Sequence, residues 1–331
     1  ANKIKSINDQ PADEWLDKTE RLIRNSNNIK ILKNTLVTTY NFSDHLIALE
    51  DKNVGKPQDN EKPELVLHKI RTKHTILANG HIERFITFRN NDLPGVMLAA
   101  SFEKYLNRYG VVPDESPVIF TNNSSTFSLL KSLTDLGHKP KAYVDIRDQK
   151  NIEKQTLELL EKFNIPFYPK SEIEGCEGKK EVKKVSIRTK KNQITKIKTS
   201  MLCVSGGFNP DIHLFTQSKG LLKWDKDHLT FKPDRIFQKT ITLGSVSGNF
   251  SYEKLLVEVE KKLSEFEGLN ELEVKFELNG PEKFQIKELW ETKHEKKSLW
   301  SKSFIDLQND VTTKDLRQAV NEGFNRIEHL K

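Results

Sequence analysis

The chain of 331 residues is long enough for about two domains, and its 35% hydrophobic content is sufficient for ordinary cores. No apolar run approaches the roughly 18 residues of a membrane span, and the start at Ala1 lacks a charged-then-apolar signal pattern, so we expect no membrane association. The two cysteines, Cys176 and Cys203, are too few for a disulfide framework or a cysteine metal site. We therefore expect a reducing compartment, the cytoplasm. The absence of an initiator Met predicts a segment of a longer protein.

The charge balance argues against a nucleic-acid-binding protein. The net charge is +7, but residues 170–198 hold ten Lys or Arg and four Glu, so 10 − 4 = +6 of this excess is local. Such a run on exposed strands mainly keeps sheet edges soluble. We interpret it as a solvated hairpin, with a phosphate-binding strip as the alternative.

The first third of the chain predicts a helix followed by strands. Residues 8–25 place apolar side chains at helical spacing behind Pro11. Residues 29–40 are typical of one or two strands, residues 51–63 of a polar loop, and residues 64–71 of a further strand.

A short pattern then occurs twice, 127 positions apart. Residues 69–80 (KIRTKHTILANG) and 196–207 (KIKTSMLCVSGG) each run from a charged strand through Thr into a short apolar strand that ends at glycine. Glycine at a strand end lets the backbone pass close to a ligand. The two copies predict a single sheet that the chain enters twice.

Between the copies, residues 94–110 predict a domain connection with a helix that ends at Gly110. Residues 117–147 then predict a strand, the polar turn 122–126, a helix ended by Gly137, and a second strand carrying Asp145. Dinucleotide folds are built this way, with a glycine-rich turn and a ribose-binding acid. Here Asn, Ser and Thr replace the glycines, which favours a Rossmann-like domain that is retained only as a scaffold, with Ser124 or Ser125 as the helix N-cap. The alternative is that this turn binds a dinucleotide.

The remaining chain continues the α/β pattern. It predicts helices at 151–163, 252–263 and from Thr312, where Thr312 and Asp315 suit a capping box. It also predicts strands at 165–168, 182–189, 194–204, 240–243 and 303–307.

The candidate cofactor-binding residues follow strand ends, where open α/β folds bind their ligands. They are Asn79, Gly80, Gly206, Gly207, Phe208, Gly244 and Gly248. For the glycines a purely steric turn requirement is the alternative. His81 and His213 lie near these turns, although isolated histidines are more often structural or exposed. No catalytic constellation and no metal site can be assembled from the spacing.

Six stretches, in order, resemble the alpha-subunit family of heterotetrameric sarcosine oxidases. They are residues 76–84 (ILANGHIER), 90–98 (NNDLPGVML), 105–111 (YLNRYGV), 118–123 (VIFTNN), 204–217 (VSGGFNPDIHLFTQ) and 304–331 (FIDLQNDVTTKDLRQAVNEGFNRIEHLK). The resemblance implies two glutathione-reductase-like, Rossmann-like dinucleotide-binding domains, the second inserted in the first. We accordingly expect a first domain over 1–100, an inserted domain over 111–195, a return to the first over 196–263, and a small C-terminal α/β subdomain over 264–331.

The resemblance also implies a division of labour. The alpha subunit binds NAD, whereas sarcosine is oxidised to glycine at FAD on the beta subunit, with a covalent FMN at the interface and gamma and delta subunits completing the complex. Electrons pass to oxygen to give peroxide, and the methyl carbon goes to tetrahydrofolate or leaves as formaldehyde. We thus expect no amine-oxidising residue in this chain. The family's upstream phosphate loop and downstream folate domain have no counterpart in these residues.

Two alternatives stay open. The chain resembles, less specifically, alpha subunits of amine, proline or opine dehydrogenases, some of which carry a cysteine-rich iron–sulfur segment. Residues 204–331 contain no cysteine, which favours the oxidase branch. A noncatalytic dinucleotide-binding scaffold is the other alternative.

Overall fold

The computed structural model describes residues 4–54, 64–112, 115–250, 255, 258–259, 261–262, 275–278, 284–294, 296–324 and 326. The chain has a mixed α/β fold and divides into two compact units. The parallel-sheet unit comprises residues 83–207 and 283–331, and the meander unit comprises residues 2–82 and 208–282. Each unit is thus built from two separate stretches of sequence.

The parallel-sheet unit is centred on five parallel strands. Their spatial order is Phe167–Pro169, Ala142–Asp145, Val118–Thr121, Leu202–Ser205 and Val96–Leu98. The three central strands are buried along their whole length, which is why they are apolar at nearly every position rather than alternating.

Layers cover both faces of this sheet. Ile119 packs with the apolar sides of helices Ala99–Tyr109, Phe127–Asp135 and Lys154–Lys162. Its neighbours Val118 and Phe120 point to the opposite face, as strand geometry requires. There they pack against the antiparallel sheet of Glu172–Glu177, Lys184–Arg188 and Ile194–Lys198.

The C-terminal part of this unit forms a short strand pair and a helix. Strand Phe304–Asp306 pairs with Val311–Thr312, and helix Thr313–Asn321 follows. The predicted capping box is confirmed, because Thr312 and Asp315 exchange side-chain and backbone hydrogen bonds.

The meander unit contains a three-stranded antiparallel meander and several strand pairs. The meander consists of Thr35–Asn41, His45–Asp51 and Leu65–Arg71. Its helices are Ala12–Arg24 and His213–Gln217, and a second three-stranded sheet has the order Gln10–Pro11, Ile4–Ile7, Phe276–Leu278. Three strand pairs complete the described strands of this unit. They are the parallel pair of Thr75–Leu77 with Thr240–Thr242, the pair of His81–Glu83 with Phe208–Pro210, and the hairpin of Leu221–Asp225 with Thr230–Arg235. Its core packs Leu77 with Tyr40, Leu46 and Phe215.

The two copies of the repeat have the predicted local structure but lie in different sheets. Strand Thr75–Leu77 pairs with Thr240–Thr242 in the meander unit, whereas Leu202–Ser205 lies between Val96–Leu98 and Val118–Thr121 in the parallel-sheet unit. The prediction of one shared sheet was wrong. Leu202–Ser205 is buried on both faces and suits a central strand, so the chain stays in the parallel-sheet unit until residue 207 rather than leaving it at 196.

Other differences are local. The strand expected over 29–40 begins at Thr35, and the connection expected at 94–110 supplies the edge strand Val96–Leu98 and a helix of the parallel-sheet unit. Of the helix expected at 252–263, residues 255, 258, 259, 261 and 262 are helical and the rest lie outside the described residues. Within the described part of the chain, no helix is long and apolar enough to cross a membrane.

Candidate functional site

The meander unit places two predicted site segments at one sheet edge. Strands Thr75–Leu77 and Thr240–Thr242 run parallel, so their carboxyl ends lie side by side. The backbone N–H of Leu243 donates to the Leu77 carbonyl at 2.9 Å and extends the pairing. Asn79 and Gly80 follow the first strand and Gly244 follows the second. This is the kind of edge at which α/β folds bind nucleotides.

Gly80 adopts a backbone conformation that favours glycine. Its φ is +90°, and a Cβ built there would meet no atom of the described residues within 4 Å. The glycine is therefore required by its backbone conformation and not by crowding. The Asn79 side-chain amide donates to the Asp211 carbonyl at 2.6 Å, and the Asp211 N–H donates to the Gly80 carbonyl at 3.0 Å. These two hydrogen bonds fix the turn.

Gly244 and Gly248 bound a 3₁₀ turn, Gly244–Ser247. Their φ angles are +78° and +83°, so both positions need glycine for the backbone itself. The Glu258 carboxylate lies beside this turn and accepts from the side-chain amide of Asn249 at 2.6 Å and, more weakly, from the Gly244 N–H at 3.4 Å.

An aromatic cluster lies in the same unit. The rings of His81 and Phe208 are 4.2 Å apart, Phe208 and Phe250 are 5.8 Å apart and stacked, and His228 lies 5.2 Å from Phe250. Phe208 is only 7% exposed, whereas His81 is exposed at the rim. Aromatic faces of this kind can stack on the planar rings of nucleotides.

Asp225 anchors the histidine at the far side of this cluster. Its carboxylate accepts from Lys232 at 2.5 Å and is 3.1 Å from His228 Nδ1. Burial favours a raised pKa, but the hydrogen bonds from Lys232 and His228 outweigh it and hold the pKa of Asp225 well below its usual range. The ionised carboxylate thus fixes the orientation of the His228 ring.

A cleft of about 390 Å³ flanks strand Thr240–Thr242. Three lysines line it, and each is ion-paired: Lys223 with Asp234, Lys232 with Asp225, and Lys262 with Glu258. Because each lysine is paired with a carboxylate, the positive charges are nearly balanced. The cleft is therefore polar but is not an anion-binding site. The sequence reasoning missed this cleft because its lining comes from residues 215–262 and carries no motif.

Gly206 and Gly207 lie in the other unit, where the chain's own atoms occupy the space beside them. A Cβ at Gly206 would be 2.7 Å from the Phe85 carbonyl oxygen. At Gly207 it would be 2.5 Å from Ile286 Cδ1 and 2.7 Å from Arg84 Nη2. The close approach predicted for these two glycines is thus made by the protein itself.

Arg84 is the charged group nearest to these glycines. Its Nε donates to the Gly206 carbonyl at 3.1 Å, and its guanidinium lies 4.9 Å from the centre of the Trp290 ring. Burial lowers the pKa of Arg84 to about 10.

The polar turn at 122–126 uses its own hydrogen-bonding groups. The N–H of Asn123 donates to Thr121 Oγ1 at 3.0 Å, and that of Ser125 donates to Asn123 Oδ1 at 2.9 Å. Thr126, and neither predicted serine, is the N-cap of helix Phe127–Asp135, and its side chain makes no capping bond. The N-cap prediction was therefore wrong.

Asp145 serves a structural ion pair. Its side chain is fully buried, and its carboxylate accepts from Arg147 at 2.8 Å. Arg147 also donates to Glu153 at 3.1 Å and to the Asn123 carbonyl at 3.1 Å. This buried ion pair favours a structural role for Asp145 over that of the ribose-binding acid of a dinucleotide fold.

The predicted site residues thus fall into two groups. Asn79, Gly80, Phe208, Gly244 and Gly248 belong to the meander unit, and Gly206 and Gly207 belong to the parallel-sheet unit. His213 is exposed at the start of a five-residue helix. In the ranges that the structure describes, no group of three or more His, Cys, Asp or Glu residues could hold a metal ion.

Comparisons with known proteins find similarity to sarcosine oxidase in two ways. The sarcosine oxidase A3 domain model matches residues 300–331. Sarcosine oxidase subunit alpha of Rhizobium meliloti (strain 1021) is 28% identical over 335 residues, which covers 98% of this chain and 32% of that protein. Among solved structures, L-proline dehydrogenase from P. horikoshii aligns with a TM-score of 0.60 at 18% identity, over 100% of this chain and 60% of that chain. T. acidophilum thioredoxin reductase aligns with a TM-score of 0.51 at 15% identity, over 72% and 74%.

The structural likenesses concern the fold, which this chain shares with oxidoreductases. The sequence similarity is to one kind of subunit, although the chain spans only about a third of the length of the curated relatives that it matches. Over nearly its whole length, this chain is similar to part of the curated sarcosine oxidase alpha subunits, at 25–28% identity.

Proposed function

We propose that this chain is the nucleotide-binding portion of the alpha subunit of a sarcosine oxidase-like flavoenzyme. The observation that carries the proposal is similarity to sarcosine oxidase alpha subunits along 98% of the chain. In this account both units derive from dinucleotide-binding domains, and residues 83–207 are the inserted one. The domain boundary after residue 207 supports this arrangement.

NAD is the nucleotide that we assign to this chain, at the edge beside Gly80 in the meander unit. The clear space at Gly80 and the glycine turn after Thr242 fit a nucleotide there. Asn79, Phe208, Gly244 and Gly248 would shape this site, with Phe208 and His81 supplying ring surface. A bound nicotinamide would supply a hydride acceptor. The residues of this chain bind and orient it.

Amine oxidation itself belongs to a partner subunit in this proposal. We assign FAD to a beta subunit and FMN to its interface with the alpha subunit, with gamma and delta subunits completing the complex. Sarcosine would be converted to glycine with oxygen as the acceptor. The methyl carbon would pass to tetrahydrofolate, bound by a part of the alpha subunit that this chain does not cover, or leave as formaldehyde.

The test is assembly followed by turnover. The complete alpha subunit, co-expressed with the subunits encoded beside it, should co-purify with a flavin-containing subunit and produce peroxide when sarcosine is added. An intact flavin-loaded complex that oxidises no N-methyl amino acid would rule out the substrate assignment.

A second candidate is the alpha subunit of a proline, amine or opine dehydrogenase. The alignment with L-proline dehydrogenase over 100% of this chain favours it. The same complex separates the two candidates: turnover of L-proline with a dye acceptor, and no peroxide from sarcosine, would select the dehydrogenase. A complex that binds NAD and turns over neither substrate would favour the noncatalytic scaffold.

A further inference from the structure

We propose that residues 284–287 form a strap that permanently occupies the nucleotide edge of the parallel-sheet unit. The chain then binds a single nucleotide, in the meander unit. Hydrogen bonds within the parallel-sheet unit support the strap. Only the inference that the chain binds one nucleotide rests on the proposed function.

The strap is bonded to the turn where a dinucleotide fold would cradle phosphate. The Ser124 N–H donates to the Gln285 carbonyl at 3.0 Å, and the Gln285 N–H donates back to Ser124 Oγ at 3.0 Å. The Lys287 N–H donates to the Asn122 carbonyl at 2.8 Å, and the Asn122 side-chain amide donates to the Lys287 carbonyl at 2.9 Å. The strap therefore uses backbone groups on both sides of the turn.

Two side chains of the strap fill further positions at the nucleotide edge. Ile286 lies over Gly207, where a Cβ would be 2.5 Å from Ile286 Cδ1. Lys287 Nζ donates to the Ile146 carbonyl at 3.1 Å, just beyond the end of strand Ala142–Asp145. The lysine thus reaches the strand end at which a ribose would bind in a dinucleotide fold.

The groups that would recognise a nucleotide are used internally. The N–H groups of Asn123 and Ser125 have side-chain acceptors within the turn, and the Ser124 N–H donates to the strap. The strand-end acid, Asp145, is fully buried against Arg147. Phosphate binding at such turns depends on free N–H groups, and ribose binding depends on an accessible carboxylate. At this edge, the N–H groups of Asn123, Ser124 and Ser125 and the carboxylate of Asp145 therefore all have partners within the protein.

Hydrogen exchange followed by mass spectrometry tests the strap directly, with the full chain and NAD as the probe. Peptides covering 121–126 and 284–288 should exchange slowly without NAD and should not change at saturating NAD. Peptides covering 78–81 and 243–250 should become more protected when NAD is added. This combination supports both the strap and the proposed nucleotide site.

The other outcomes separate the two proposals. Protection of 121–126 by NAD, with faster exchange in 284–288, would overturn the strap while leaving nucleotide binding intact. No protection by NAD in any peptide would overturn the proposed nucleotide site. In that case, slow hydrogen exchange in 121–126 and 284–288 would still support the strap, and fast exchange there would overturn it as well.

Asn122→Ala supplies a graded check because it removes one hydrogen bond from the strap. We expect exchange in 284–288 to accelerate about fivefold, the effect of one ordinary hydrogen bond. Asn107→Ala is the matched control, since Asn107 donates a side-chain bond to Ser132 of a helix in the same unit and does not touch the strap. Equal exchange of the strap in both variants would contradict the role given to Asn122.

Discussion

At the scale of single residues, glycines that look alike in sequence are needed for different reasons. Gly80 has open space beside it, whereas Gly206 lies against the carbonyl of Phe85. The sequence predicted close approach at both positions. The three-dimensional surroundings distinguish the two cases. A side chain at Gly80 would have space, whereas a side chain at Gly206 would clash with the protein's own backbone.

Gly206→Ala tests the crowded case. The new methyl group would be 2.7 Å from the Phe85 oxygen, so we expect a loss of about 1–3 kcal/mol in the free energy of unfolding. Gly137→Ala is the control, because the φ of Gly137 is +78° and a Cβ there would meet no atom of the described residues within 4 Å; it should cost about 1 kcal/mol. Denaturant titration measures both. A Gly206→Ala protein as stable as wild type would contradict the packing described here.

Glu291 gives the parallel-sheet unit a pH dependence. Burial favours a raised pKa, but hydrogen bonds from His294 and Arg317 outweigh it and lower the pKa of Glu291 to about 2. The folded state thus holds the carboxylate ionised below its ordinary pKa of 4.5. This stabilisation is complete above the ordinary pKa and is lost as the pH falls from about 4.5 towards 2.

Melting temperatures at pH 6 and pH 3 measure this contribution. Glu291→Gln should lose less stability than wild type over that interval, because its side chain does not titrate. Glu158→Gln, which removes an exposed helix carboxylate, is the control and should follow wild type. An identical pH response in the Glu291 variant would refute the assignment.

At the scale of elements, strong local signals were predicted well. Helices at 99–109 and 127–135, the buried strands at 118–121 and 142–145, and the capping box at 312–315 all followed from spacing and cap chemistry. Sheet membership could not be predicted, because Thr75–Leu77 and Leu202–Ser205 carry the same local pattern and differ only in their partners. The strap was missed for the same reason: residues 284–287 have no motif, and their role depends on a turn that is distant in sequence.

Thr312→Ala tests the capping box as an element. The variant removes the side-chain acceptor for the Asp315 N–H and should cost about 1 kcal/mol of stability. Thr312→Ser keeps the hydroxyl and should cost much less. Thermal unfolding compares the two, and equal losses would show that the hydroxyl does not stabilise this helix.

At the scale of the whole molecule, the order of six short motifs predicted a resemblance to sarcosine oxidase alpha subunits, and the similarity to such subunits along 98% of the chain confirmed that resemblance. The predicted site residues are divided between the two units. Asn79, Gly80, Phe208, Gly244 and Gly248 lie in one unit, but Gly206 and Gly207 do not. The local sequence pattern predicts where a strand ends. It does not predict which strand ends lie next to each other in the fold.

The central claim is that a nucleotide binds beside Gly80, and calorimetric titration of NAD into three proteins tests it most directly. Wild type should bind one NAD per chain, and Gly80→Leu should weaken binding at least tenfold, because its side chain would fill the open space. Gly137→Leu has a similar backbone and similar space but lies in the parallel-sheet unit, so it should bind NAD as wild type does. Unchanged affinity in Gly80→Leu, or no binding by wild type, would contradict the account.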